Sequence, residues 1–143
     1  MPWNINGQIV KVDVKKTKAL YEKLPLISDK AHCGCPECDY YTKVIVHASP
    51  AIQLFFEQFG IDPRKEAEVW RACENDNGTY YYIVDYHFNG EIQDVPELHW
   101  IDIEEASFGL TNRIGNLPSP IIPETFTSPI IEMIEKINLC SDI

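Results

Sequence analysis

The stretch Thr79–Phe88 reads TYYYIVDYHF, and its aromatic and β-branched residues predict the central β-strand of the fold. Successive side chains of a strand point to opposite faces of the sheet, so Asp85 and His87 share one face. The opposite face carries the row Tyr80, Tyr82, Val84, Tyr86 and Phe88. The pair Asn89-Gly90 then predicts a two-residue hairpin turn at the end of the strand.

Two neighbouring segments predict further strands beside this one. Residues Ala67–Cys73 alternate in polarity, and Asn75–Gly78 is a strong turn signal between them and the aromatic strand. Leu98–Ala106 alternates again. We therefore expect an antiparallel meander, with Trp70 and Trp100 extending the tyrosine row across it. The row is predicted to be core, and a ligand groove or protein-binding surface is the alternative.

Helical signals lie on the N-terminal side of this sheet. Ser49 is an N-cap residue, the segment Pro50–Phe59 has proline at its first position and a broad apolar face, and Gly60 ends the helix. Further upstream, Gln8–Val14 alternates as a strand does, and Lys15–Leu24 predicts a short helix that the following proline stops.

The C-terminal segment Pro129–Leu139 fits two structures. Its isoleucines at 130, 134 and 137 suit a helix, whereas the apolar residues at 131, 133, 137 and 139 suit a strand. The sequence shows no internal repeat and no second domain. The elements together predict a single α+β domain over residues 1–143, an antiparallel sheet with one or two helices packed on one face.

The composition is that of a folded acidic protein. Hydrophobic residues make up 45% and charged residues 24%, and 22 acidic against 12 basic residues give a net charge of -10. An acidic surface repels phosphate, so we do not expect a nucleic acid partner. The sequence shows neither a membrane span nor a signal peptide. We expect a cytoplasmic protein with a protein or small-molecule partner, and the sequence indicates no oligomeric state.

Residues 32–41 read HCGCPECDYY and suggest a metal site. Cys35 and Cys38 have the C-x-x-C spacing that brings two thiolates to one zinc ion. Cys33 and His32 lie within reach of the same ion. We therefore predict zinc as the cofactor and these four residues as its ligands, although no second C-x-x-C or histidine pair completes the set.

Three other interpretations of the thiols remain open. Cys35 and Cys38 could form a redox dithiol, although Asp39 beside the second thiol would raise its pKa. Asp85 and His87 could join a thiol in a nucleophile, base and orienter arrangement. The segment could also be an ordered loop whose cysteines serve as small, half-buried apolar groups.

Five motifs follow one another along most of the chain. They are T-x2-L-Y at Thr17–Tyr21, C-x-C-x2-C-x-Y-Y at Cys33–Tyr41, F-F-E-Q-F-G-I-D-P at Phe55–Pro63, E-V-W at Glu68–Trp70 and Y-H-F-N-G-E-I at Tyr86–Ile92. This order resembles a family of small bacterial proteins of unknown function. The resemblance implies a bacterial or phage setting and a recurring constellation of Cys35, Cys38 and the His87 segment. It implies no particular reaction.

The sequence as a whole predicts a non-enzymatic binding or accessory domain whose cysteine-rich loop holds a structural zinc. The alternative is a thiol-based redox protein or a cysteine-dependent enzyme that uses Cys35 and Cys38 with His87. No residue is assigned a catalytic role from the sequence, so whether the protein is an enzyme stays open at this stage.

Overall fold

The computed structural model describes residues 2–5, 8–29, 36–65, 68–74, 79–93, 100–111 and 130–140. Over these ranges the elements are β1 (Pro2–Ile5), β2 (Gln8–Val12), α1 (Val14–Lys23), α2 (Pro36–Val44), a 3-10 turn (Ile45–His47), α3 (Pro50–Phe59), β3 (Glu68–Glu74), β4 (Thr79–Gln93), β5 (Trp100–Ile103), β6 (Ala106–Thr111) and β7 (Ile130–Cys140). Helices packed on one antiparallel sheet confirm the predicted α+β class.

The strands form one sheet in the order β1-β2-β4-β7-β6-β5, and β3 also pairs with β4. The predicted antiparallel pairing of β3 and β4 is confirmed, and the turn predicted at Asn75–Gly78 lies outside the described residues. The segment predicted as a third strand joins the same sheet, but β7 and β6 lie between β5 and β4. The order differs from a simple meander because the C-terminal segment is a strand and pairs with β4 over residues 79–89.

Cross-strand register divides the side chains of β4 between two faces. Val84 pairs with Glu135 and Asp85 pairs with Ile134, so these two neighbouring pairs lie on opposite faces. We call the face of Val84 and Glu135 the helix face, because α2 and α3 pack on it. The outer face carries Asp85 and His87 together, as the sequence predicted. From Val84 to Gly90, every residue of β4 is buried.

Aromatic rings join α2 and α3 to the helix face. The ring of Phe56 on α3 lies 5.1 Å from that of Tyr86, and the ring of Tyr41 on α2 lies 5.5 Å from that of Tyr82. Tilted and edge-to-face pairs of this kind contribute about 0.5–1.5 kcal/mol each beyond the burial of their area. The tyrosine row is therefore core from Tyr82 to Phe88.

β4 continues through Asn89 and Gly90, where the sequence predicts a hairpin turn. That prediction is wrong because β2 approaches the strand here: Gly90 pairs with Val12, and a Cβ on Gly90 would lie 2.3 Å from the backbone oxygen of Lys11. The backbone N–H of Asn89 donates to Oγ1 of Thr17 on α1 at 3.1 Å. The glycine serves a close approach of two backbones rather than a turn.

Both tryptophans expected beside the tyrosine row lie on the outer face instead. Trp70 pairs with Ile83, an outer-face residue of β4, and is 43% exposed. The ammonium of Lys136 lies 4.3 Å from the ring centroid of Trp100, and Lys136 also pairs with Ile83. Alternation predicts which residues of a strand share a face, but the pairing register decides which face that is.

The ends of the predicted helices agree with the structure to within one or two residues. α1 begins after Asp13, whose Oδ1 accepts a hydrogen bond from the backbone N–H of Lys16 at 3.1 Å. α3 follows Ser49 and ends at Gly60, whose φ is 79°. None of the described helices is long and apolar enough to cross a membrane.

Substitution of Gly60 is expected to destabilise the protein strongly. A positive φ disfavours any L side chain, and a Cβ here would lie 2.6 Å from the carbonyl oxygen of Val14 on α1. We expect Gly60→Ala and Gly60→Asn each to lower the free energy of unfolding, measured in urea, by about 3 kcal/mol.

Two comparisons sharpen this experiment. Asparagine tolerates a positive φ better than alanine does. A much smaller loss for Gly60→Asn would therefore show that φ, and not the contact with α1, is the constraint. Ala51→Gly on the exposed side of α3 is the control, and its expected cost is at most about 1 kcal/mol.

Candidate functional site

A cleft of about 540 Å³ lies between α1, the C-terminal half of α3 and residues 61–65. Tyr21, Ile61 and Pro63 give it apolar surface, and charged residues of α1, α3 and 61–65 line the rest. This volume falls within the range of pockets that take small ligands or short chain segments.

Hydrogen bonds hold the walls of the cleft in place. The Tyr21 hydroxyl donates to the backbone oxygen of His87 at 2.7 Å, which fixes α1 against β4. Nζ of Lys65 donates to the backbone oxygen of Tyr21 at 3.2 Å, and the backbone N–H of Ile27 donates to the oxygen of Arg64 at 2.8 Å. The cleft is therefore preformed, which lowers the entropy cost of binding.

Charges of both signs line this cleft. Nη2 of Arg64 lies 2.9 Å from Oδ2 of Asp62. Burial alone would raise the pKa of Asp62, but the hydrogen bonds and charge of Arg64 outweigh it and hold that pKa below its usual value. Lys18 and Glu22 on α1 and Glu57 on α3 are exposed. These three side chains are available to a charged ligand.

A chain of hydrogen bonds reaches the cleft from the core. The Tyr86 hydroxyl donates at 2.7 Å to the backbone oxygen of Pro63, a residue of the cleft wall. Tyr86 is also hydrogen-bonded to the hydroxyl of Tyr41, which lies 2.5 Å from Oε1 of Glu135. Burial raises the pKa of Glu135 to about 8. Burial, followed by the charge of Glu135, also raises the pKa of Tyr41.

A second group of titratable side chains lies on the outer face of the sheet. His87 pairs with Glu132, and Asp85 pairs with Glu68 on its other side. Asp85, His87 and Glu132 are each at most 4% exposed. Burial, followed by the charge of Glu132, raises the pKa of Asp85 to about 7, while the positive charge of His87 acts in the opposite direction.

The strongly perturbed acids do not line the cleft. Glu135, Tyr41 and Asp85 are at most 4% exposed, and none of them is among its lining residues. General acid or base catalysis needs such a group within hydrogen-bond reach of the bound molecule. The cleft thus offers charges that can bind a ligand, whereas the groups with strongly raised pKa values lie in the protein interior.

Of the four predicted metal ligands, the structure describes only Cys38. His32, Cys33 and Cys35 lie outside the described residues. Cys38 is 3% exposed and belongs to the hydrophobic core. No group of three His, Cys, Asp or Glu side chains in the described part of the chain is arranged to hold a metal ion.

The second half of the predicted cysteine loop is a helix. α2 begins at Pro36, and its first turn contains the acidic Glu37 and Asp39. Proline fits the first helical position, and acidic side chains favour a helix N-terminus through the helix dipole. The loop prediction is therefore wrong from Pro36 onward, because the proline and the two acidic residues favour the start of a helix there.

The structure does not bring Cys38 together with His87. Cys38 lies on α2, which packs on the helix face, whereas the side chain of His87 lies on the outer face. Cys73 pairs with Tyr81, six residues from His87 along β4, which corresponds to about 20 Å of strand. The described thiols therefore complete no arrangement with Asp85 and His87. His99 and the side chain of Cys140 lie outside the described residues.

The sequence interpretation missed Glu135 and Tyr41. A signal for Glu135 was present, because in the strand phase of the C-terminal segment it shares a face with Met133 and Ile137. A glutamate in the apolar phase of a strand indicates a buried carboxyl. The cleft left no such signal, since its walls come from segments far apart in sequence.

Comparison with known proteins finds no relative: no family, no curated protein and no solved structure matches this chain. The resemblance to a bacterial family, drawn from the order of the motifs, stays a prediction. The functional conclusion therefore depends on the chemistry of the cleft and of the buried groups.

The two described thiols should differ sharply in reactivity. Cys73 is exposed, whereas Cys38 is buried. We expect iodoacetamide to modify Cys73 rapidly in the native protein and Cys38 only after unfolding, because alkylation needs contact with the reagent. Peptide mass spectrometry at successive times, with and without denaturant, measures both rates. Equal native rates for the two thiols would contradict the burial of Cys38.

Proposed function

We propose that this protein is a non-enzymatic binding domain whose cleft receives a short polypeptide segment carrying both positive and negative side chains. The observation that carries this proposal is the preformed cleft with exposed charges of both signs on its walls. The pairing of opposite charges favours the correct partner and its orientation more than it adds affinity.

Charge placement supports a partner of mixed charge. Glu57 on α3 and Glu22 on α1 would attract lysine or arginine side chains, and Lys18 would attract an acidic one. Arg64 is already paired with Asp62. A purely acidic segment would meet repulsion from a chain whose net charge is -10.

The alternative of a thiol enzyme has less support. It requires Cys35 and Cys38 near His87, but Cys38 is buried with the helix face and His87 lies on the outer face. A catalytic thiol also needs a partly exposed, electropositive site. Buried Cys38, beside Glu37 and Asp39 in the first turn of α2, does not offer one.

A structural zinc held by His32, Cys33, Cys35 and Cys38 is the second part of the proposal. Its support is the C-x-x-C spacing of Cys35 and Cys38, which brings two thiolates to one zinc ion. In this arrangement the metal would join the start of α2 to the segment before it and so stabilise the domain rather than take part in a reaction.

Peptide binding tests the cleft. The probes are end-blocked Lys-Ala-Glu-Lys, Lys-Ala-Lys-Lys, Glu-Ala-Glu-Glu and Ala-Ala-Ala-Ala, titrated to millimolar concentration into the isotope-labelled protein. We expect the mixed-charge peptide to give the largest amide shifts, at residues 18–22 and 57–65. Glu57→Lys should weaken its binding about fivefold, as loss of a partly exposed ion pair of about 1 kcal/mol does.

Gln58→Lys is the matched control, because Gln58 is the next exposed residue of α3 and does not line the cleft. It makes the same change in lysine count and should leave the affinity within twofold. The binding proposal fails if no peptide shifts the cleft amides, or if Glu57→Lys and Gln58→Lys weaken binding equally.

Metal analysis tests the zinc. Protein purified without chelator or metal-affinity resin should contain about one zinc per chain, and a chelator should lower its melting temperature. Cys38→Ser should remove the metal, whereas Cys73→Ser, on the outer face of β3, should keep it. Metal-free protein with an unchanged melting temperature in chelator would end the zinc proposal and leave the cleft proposal untouched.

A further inference from the structure

Three contacts join Glu135 to Pro63, and each of them needs one hydrogen atom to be a hydrogen bond. A backbone carbonyl only accepts, so the single hydroxyl hydrogen of Tyr86 is committed to Pro63. The contact between the two tyrosine hydroxyls must then use the hydrogen of Tyr41. No tyrosine hydrogen is left for the contact between Tyr41 and Oε1 of Glu135.

We propose that Glu135 is protonated in the native protein and donates a hydrogen bond to Tyr41. This titratable proton forms the first of three hydrogen bonds that end at the cleft wall. In this order Glu135 donates to Tyr41, Tyr41 to Tyr86 and Tyr86 to Pro63. Each contact then has one hydrogen. With Glu135 ionised, three contacts share only two.

The surroundings of Glu135 favour the protonated form. Its other oxygen, Oε2, is buried without a hydrogen-bond partner among the described residues, which is costly for a charged carboxylate. Among the described titratable groups, the hydrogen bond with Tyr41 from α2 lowers the pKa of Glu135 and the charge of Glu105, in the turn between β5 and β6, raises it, and burial outweighs the effect of Tyr41. Its register partners Val84 on β4 and Phe108 on β6 are apolar. In the described part of the chain, no cation is among the groups that shift its pKa.

The consequence is a dependence of stability on pH. The pKa of Glu135 is about 8 in the folded protein against an ordinary value of 4.5, so folding retains a proton that the unfolded chain releases. This stabilising contribution is fully present below about pH 4.5 and is lost as the pH rises through about 8. Between these limits the unfolding equilibrium constant rises up to tenfold per pH unit for this one proton.

The chain also links the proton to the cleft. Its atoms come from β7, α2, β4 and the segment after α3, and the last of them belongs to the cleft wall. Loss of the proton leaves one contact without a hydrogen and loosens Pro63. A pH dependence of peptide affinity rests on the proposed binding function, whereas the proton itself and the change at residues 61–65 do not.

Urea unfolding from pH 5 to pH 9 tests the proton. Glu135→Gln keeps the shape and an N–H donor towards Tyr41 but cannot ionise. We expect the ratio of the wild-type unfolding constant to that of Glu135→Gln to grow about four-hundredfold between pH 5 and pH 8. Asp85→Asn removes a second carboxyl whose pKa is raised, on the outer face, and should leave the pH dependence that comes from Glu135 unchanged. Parallel curves for wild type and Glu135→Gln would overturn the proposal.

Tyr86→Phe tests whether the Tyr86 hydroxyl matters through the order of donors and acceptors in the chain or only through its packing. Without the Tyr86 hydroxyl, the hydrogen of Tyr41 can turn to Glu135, so the carboxylate form becomes acceptable and the pH dependence should move to lower pH. Equal destabilisation at every pH would mean that the hydroxyl is structural only, and it would contradict the directed chain. This variant keeps the test decisive if Glu135→Gln does not fold.

Amide spectra test the link to the cleft without any ligand. Raising the pH from 6 to 9 should shift the amides of residues 61–65 in the wild type, and these shifts should be absent in Glu135→Gln. If they persist in the variant, the proton is not coupled to the wall. Failure of every peptide to bind, with these shifts present, would remove the binding function and retain the proton chain.

Discussion

The pairing of β4 with β7 is the constraint on which the rest of the structure depends. Because side chains alternate with a period of two, the register that sets Val84 against Glu135 also decides which groups of both strands meet the helices. A slip of β7 by one residue would bring Ile134 to the helices and move Glu135 away from Tyr41. The apolar residues Met133, Ile137 and Leu139 would leave the core in the same step, which makes such a slip costly.

Burial of β4 on both faces forces its polar neighbours into neutral or paired states. On the helix face, Glu135 has apolar neighbours in its own sheet and contacts the hydroxyl of Tyr41, which is in turn hydrogen-bonded to Tyr86. On the outer face, Asp85 meets Glu132, whose charge makes ionisation of Asp85 less favourable. Both arrangements raise a carboxyl pKa towards neutrality, the first mainly by removing water and the second by adding a like charge as well.

Local signals predicted the elements of this fold better than their arrangement. The bounds of α3 follow from Pro50 at its first position and Gly60 at its end, because proline and glycine act within a few residues. The apparent turn at Asn89 failed because β2, about 80 residues away in sequence, approaches the same backbone. The strand order and the faces of the tryptophans likewise depend on long-range pairing, which alternation does not encode.

This dependence on long-range pairing also explains why the sequence indicated the cysteine segment but not the cleft. Cysteine spacing is a local pattern and directs attention to residues 32–38, whereas the cleft and the tyrosine chain are assembled from segments that meet only after folding. The members of the chain of hydrogen bonds from Glu135 to Pro63 depend on one another. An apolar residue in place of Glu135 would fill its volume, but the hydrogen of Tyr41 is already committed to Tyr86, so the Tyr41 oxygen would lose its donor.

A buried polar network is favourable when every member is satisfied and unfavourable when one is missing. Sequence changes at Tyr41, Tyr86 and Glu135 should therefore be tolerated together more readily than singly. This coupling ties the position of α2 on the sheet to the position of Pro63 at the cleft. In the proposed order of donors and acceptors, the position of Pro63 in the cleft wall therefore depends on the protonation of Glu135 in the core.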